Sequence, residues 1–165
     1  MSAQIQIVAV GKIKEKHYTQ AIAEYRKWLS RFCKLTLIEV EDEKNPKEYK
    51  NSKEHNEALT IKALNREALK IQSYLKNSVV IAMDIKGIKV SSERFSEIVK
   101  GYYESERDIS FIIGGSLGLS REVLELSDLR LSMSDMTFPH RLARIMLIEQ
   151  IYRAFKIIFN ETYHK

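Results

Sequence analysis

From Gln4 to Ile7 polar and apolar positions alternate, then Val8-Ala9-Val10 runs apolar until Gly11 closes the segment. That pattern predicts a strand whose end is buried. His17 to Arg31 carries Tyr18, Ile22, Tyr25 and Leu29 on one helical face. Lys34 to Val40 predicts a second strand, and Glu41 to Ser52 a charged loop. Between Lys53 and Leu75, apolar residues recur every three or four positions, predicting a long helix. Ser78 to Asp84 is nearly continuous in apolar residues, as expected of a strand covered on both faces. Ser91 or Ser92 is placed to cap a helix running to about Tyr103. Asp108 to Ile113 predicts another buried strand, leading straight into Gly114-Gly115-Ser116-Leu117-Gly118. Ser120 caps a short helix through Leu126, Leu129 to Ser132 is a last short strand, and Pro139 opens a terminal helix reaching Phe159.

Strands alternating with helices of this length predict a single α/β domain over residues 1–165, with a mostly parallel sheet flanked by helices. Ligands of such sheets lie beyond the carboxyl ends of the strands. The segments Met83 to Gly87, Gly114 to Gly118 and Met133 to Phe138 are therefore expected to build the site.

Composition narrows the class. With 44% hydrophobic and 30% charged residues, the 165-residue chain is expected to fold without staples. No apolar run nears the roughly 18 residues of a membrane span, and Met1 to Val10 has no signal-peptide pattern. A soluble cytoplasmic protein is the expectation. The net charge is +5, and residues 1–80 carry 15 Lys/Arg against 10 Asp/Glu, while 81–165 carry 12 against 12. The excess suits a polyanion such as RNA and equally a lysine-rich solvated surface.

The glycine loop after a buried strand suits a nucleotide-like ligand. It has neither the Gly-Lys-Ser/Thr of a phosphate loop nor dinucleotide spacing, and it also reads as a plain tight turn. Valine at Gly114 is expected to fill ligand space with the fold largely kept. Leu131 to His140, with its Ser, Thr and Met residues, can wrap an adenine or simply lead into a helix. The terminal helix is apolar over most of its circumference, with Glu149, Arg153, Lys156 and Asn160 in a narrow polar stripe. A helix apolar on two sides predicts a homodimer; wrapping by its own chain is the other arrangement. Glu149 and Arg153 also read as an ordinary i,i+4 pair. Tyr163-His164-Lys165 sits at the chain end, where fraying is usual. The four histidines show no metal spacing, and Cys33 is the one cysteine. No metal site, disulfide or nucleophile elbow is expected.

Four stretches together carry a resemblance: Val8 to Lys16, Ile112 to Leu119, Met136 to His140, and Glu149 to Ile157 with Tyr163-His164-Lys165. They closely resemble the RlmH type of ribosomal RNA large-subunit methyltransferase, a SPOUT-superfamily enzyme, over the whole chain. The resemblance implies methylation of N3 of a pseudouridine in a large-subunit rRNA stem-loop, with S-adenosylmethionine (SAM) as donor. It also implies a homodimer and a SPOUT-like fold with a C-terminal trefoil knot. Carried over by position, the cofactor site takes Met83, Gly114, Met133, Ser134, Asp135, Met136, Thr137 and Phe138. The catalytic or RNA-contacting groups fall on Arg153, Tyr163 and His164. Asp135 stands where relatives often have Lys, and Met83 where Leu is common.

The chemistry demanded is simple to state. A sulfonium methyl is already activated, so the protein must align the nucleophile and free the lone pair of an imide nitrogen. Arg153 and Lys156 would favour the developing anion. In the tail, His164 alone titrates near neutral pH, so it would act as base or position the pseudouridine. Two rivals are an RNA-binding module without catalysis and a nucleotide-binding hydrolase or transferase. The glycine loop's lack of a phosphate-binding Lys argues against the latter.

Overall fold

A computed structural model describes residues 4–43, 53–75 and 77–163. Five strands and five helices alternate: β1 (Gln4–Val10), α1 (Lys16–Leu29), β2 (Lys34–Val40), α2 (Lys53–Gln72), β3 (Val79–Lys89), α3 (Ser92–Glu104), β4 (Ile109–Ile113), α4 (Arg121–Leu126), β5 (Leu129–Ser132) and α5 (His140–Ile158). They form one parallel sheet in the order β2-β1-β4-β3-β5. The α/β expectation holds.

The period of two along β1 divides the core. Ile5, Ile7 and Ala9 face the layer of α1, α3 and α5, while Val8 and Val10 face Ala68 and Ile71 of α2 and Val123 of α4. Burial of these branched side chains on both faces is the main source of stability, at roughly 25 cal/mol per Å² of apolar surface. The caps read from sequence are present: the Ser91 and Ser120 hydroxyls accept from the N–H groups of Arg94 and Val123, both at 3.1 Å. Pro139 is extended, with ψ 135°, so it occupies the capping position and the helix starts at His140, one residue later than expected.

Two further differences bear on the site. Met83 to Gly87 is not a simple loop after β3. The strand bulges, so that Met83 and Ile88 both pair with Leu131 before pairing continues at Lys89 and Ser132. Gly87 allows this, since a Cβ there would lie 2.7 Å from the Leu131 carbonyl carbon. The breadth of apolar surface on α5 is also met within the chain, because α5 packs between α1 and α3.

Candidate active site

β4 lies between β1 and β3, so the chain order reverses beside the glycine loop, where open α/β sheets bind ligands. A cleft of about 320 Å³ opens there, walled by residues 83–85 at the bulge within β3, the glycine loop after β4, and the segment after β5. Of the eight residues expected to hold the cofactor, Met83, Gly114, Met133, Ser134, Met136, Thr137 and Phe138 line it. Asp135 does not line it. Its carboxylate turns outward and accepts from Lys89 Nζ at 2.6 Å.

Each wall is set by local chemistry. Gly118 N–H donates to the Gly115 carbonyl at 3.1 Å and closes the glycine loop on itself. A Cβ on Gly114 would lie 2.6 Å from the Gly118 carbonyl carbon. Valine at Gly114 would therefore break the turn itself, which corrects the expectation of a kept fold. The loop after β5 is held by Ser132 Oγ donating to the Ser134 carbonyl and Ser134 Oγ accepting from Met136 N–H. Its backbone is thus fixed before any ligand arrives.

The cleft has an unusual charge. Asp84 is its one formally charged lining residue, and no Lys or Arg among the described residues faces it. His140 also lines it, with a pKa below the usual histidine value through burial and the neighbouring Arg144 and Arg141. The wall is therefore neutral to negative at neutral pH.

Arg153 and Tyr163 meet around Glu149, away from the cleft wall. Glu149 Oε1 accepts from Arg153 Nη2 at 2.8 Å, Arg153 Nε at 3.1 Å and the Tyr163 hydroxyl at 2.7 Å. The guanidinium lies 4.2 Å from the Tyr163 ring centroid. Burial pushes the Tyr163 phenol up to about 12, helped by the Glu149 carboxylate, so it stays a donor at neutral pH. Burial works to lower the Arg153 pKa, but its bonds to Glu149 outweigh this and leave it above the ordinary value. Glu149 also lines a groove of about 420 Å³ that shares Met83, Leu131, Ser132 and Met133 with the cleft. His164 lies outside the described residues.

In the sequence Glu149 reads as one residue of a polar stripe and an i,i+4 pair, and Arg144 carries no motif. Arg144 is fully buried, donating to the Val10 carbonyl at 2.6 Å and to Glu39 at 3.3 Å, and it pins α5 to the ends of β1 and β2. A lone arginine in an apolar stretch was the available signal. Burial pushes the Cys33 thiol up to about 12, consistent with an inert core residue. Among the described residues, no cluster of His, Cys, Asp or Glu could hold a metal, and no helix is long and apolar enough to cross a membrane.

A parallel α/β sheet with a cleft at its switch point, and with no Lys or Arg among the described residues lining that cleft, places the chain among the ligand-binding α/β proteins without a phosphate loop. The profile described as "Predicted SPOUT methyltransferase" matches residues 3–164, and the chain belongs to that family. It is 49% identical over 163 residues to ribosomal RNA large subunit methyltransferase H 1 of Clostridium perfringens (strain SM101 / Type A), covering 98% of this chain and 99% of the relative. A relative from Acetivibrio thermocellus, ribosomal RNA large subunit methyltransferase H, is 44% identical over 164 residues, with the same coverage. Among solved structures, a probable methylase family protein from Haemophilus influenzae Rd KW20 matches with a TM-score of 0.57 and 18% identity, over 100% of this chain and 72% of that one. A probable methyltransferase from Bordetella pertussis Tohama I matches at 0.55 and 10% identity, over 92% and 94%. These two likenesses concern the fold.

Proposed function

We propose that this chain is a single-domain, SAM-dependent methyltransferase acting on N3 of a pseudouridine in a large-subunit rRNA stem-loop, as a cytoplasmic homodimer with the family's knotted C-terminal fold. The observation that carries the reading is the cleft lining. A wall with Asp84 and, among the described residues, no Lys or Arg suits a ligand bearing a sulfonium and an ammonium, and opposes the phosphates of a nucleotide hydrolase's substrate. The near-full-length identity to rRNA methyltransferases supports the substrate class.

SAM supplies an activated methyl group, and the protein's residues do the rest. When bound, SAM would be held by the glycine loop and by Met133, Ser134, Met136, Thr137 and Phe138, which line the cleft together with Ile113 and Leu131. Arg153, kept charged and oriented by Glu149, stabilises the imide anion that forms as N3 loses its proton. Tyr163 stays protonated and donates, so it does not serve as the base. His164 takes that role by its chemistry. Within one chain, Arg153 and Tyr163 stand outside the cleft lining, which supports completion of the site by the second copy. The exposed Trp28, Ile157 and Phe159 of α1 and the α5 end offer apolar surface for that copy.

The test uses purified protein, ribosomes lacking the modification and methyl-labelled SAM, with calorimetric titration of SAM and ATP alongside. Label in large-subunit rRNA, with SAM bound and ATP not, is the expected result. SAM binding without transfer to rRNA would favour another substrate, and no SAM binding would reject the reading.

A further inference from the structure

We propose that Lys12 and Lys14, in the segment joining β1 to α1, and Lys16, the first residue of α1, form a landing strip for the sugar–phosphate backbone of the RNA substrate beside the cofactor cleft. The inference rests on the methyltransferase reading and goes beyond it by naming the docking surface.

The three lysines alternate with Ile13 and Glu15, and all three are exposed, whereas Ile13 and Glu15 are partly buried. The alternation thus splits the segment, with anchors turned inward and ammonium groups outward. The anchors are specific. Ile13 packs against the core, and its N–H donates to Glu39 Oε1 at 2.9 Å. Glu15 is ion-paired with Arg141, in the first turn of α5. A segment tied at both anchors presents its charges from a fixed backbone, and little order remains to be imposed on binding.

The strip adjoins the cleft. The Cβ position of Gly11 lies 3.5 Å from Nε2 of His140, which lines the cleft. Nearby acids do not cancel the strip: Glu15 is offset by Arg141 and Glu39 by Arg144, which leaves Asp42 beside Gly11. α1 begins with Lys16 and His17 behind the N-cap Glu15, whose side chain makes no cap hydrogen bond and is ion-paired with Arg141 instead. Cations at a helix N-terminus oppose the helix dipole. Repelling charge held rigidly beside a neutral-to-negative cleft fits a polyanion that must be drawn to the rim while the cationic cofactor occupies the pocket.

The experiment replaces Lys12, Lys14 and Lys16 with Gln together in the full-length chain. A control replaces Lys34, Lys62 and Lys100, exposed residues away from this strip, and removes the same charge. Binding to ribosomes lacking the modification is measured against salt, with SAM titration and thermal melting in parallel. The strip variant should bind ribosomes roughly 10- to 100-fold more weakly, and its log–log salt slope should shrink by about 2–3, near one for each phosphate no longer neutralised. SAM affinity and melting temperature should be unchanged, since all three lysines are exposed. Control-like affinity and slope in the strip variant would overturn the proposal while leaving the methyltransferase reading intact. Absence of ribosome binding by the unmodified protein would overturn both.

Discussion

Glu149 gathers three donors on one oxygen, and its other oxygen accepts from Gln150 at 2.7 Å. Glu149→Gln should leave SAM affinity unchanged, cost about 1–2 kcal/mol of stability through an unpaired donor, and lower methyl transfer by roughly 10-fold or more. Chemical denaturation and labelled-methyl transfer check both effects. Gly114→Ala should abolish SAM binding and also lower the melting temperature, because the Cβ meets the Gly118 backbone. An alanine variant that melts normally would show that the turn can yield. Glu67 behaves differently from the surface acids. It is buried, accepts from Glu43 N–H at 2.9 Å, and its carboxyl is raised to about 7 by desolvation and the adjacent Asp42. A carboxyl raised in the fold binds a proton that the unfolded chain has lost, so its contribution to stability falls as pH rises from about 4.5 through about 7. Glu67→Gln should therefore stabilise the protein at pH 8 by roughly 1–3 kcal/mol, with the gain fading toward pH 4.5. Melting curves of both proteins across that range give the answer. These residue roles are poorly legible in the sequence. Glu67 and Asp42 are far apart in the chain, and Glu149's partner Tyr163 lies 14 residues away, beyond any helical spacing rule.

The elements are largely legible because each announces itself locally. Alternation marks β1, continuous apolar runs mark β3 and β4, and serine caps mark α3 and α4. Ser120→Ala should cost about 1 kcal/mol, since it removes the acceptor for Val123 N–H in a buried turn. The tail reads by position as an end free to fray, and the fold departs from that because of Asn160. Its φ of 51° turns the chain back, Asn160 N–H donates to the Ile157 carbonyl, and Glu161 N–H donates to the Lys156 carbonyl. These two bonds make a Schellman ending with Asn in the glycine position. Glu161 then pairs with Lys156 and Arg31, and Tyr163 comes down on Glu149 with its ring 5.6 Å from Tyr152. Deleting Tyr163 to Lys165 should preserve SAM binding, because Tyr163 stands outside the cleft lining, and should reduce methyl transfer by roughly 100-fold. Parallel loss of SAM affinity would instead make the tail a lid on the cofactor.

At the scale of the molecule, the β-α alternation is enough to place the three cleft-lining segments together, since parallel strands carry them to the same end of the sheet. The strand order is not legible, because β4 slides between β1 and β3 and nothing local records that insertion. The apolar circumference of α5 points to assembly, yet α1 and α3 of the same chain cover much of it. The surface left for a partner is the exposed Trp28, Ile157 and Phe159. Light scattering at micromolar concentration should give about twice the 19.2 kDa chain mass, and Trp28→Glu should shift it toward the monomer. A monomeric mass for the unmodified protein would leave Arg153 and Tyr163 without a cofactor cleft to serve. Nucleoside mass spectrometry of large-subunit rRNA from cells lacking this protein reads the reaction itself. Loss of N3-methylpseudouridine is expected, restored by the unmodified gene and not by one encoding Arg153→Ala. An unchanged level of that nucleoside in the deletion strain would contradict the proposed reaction.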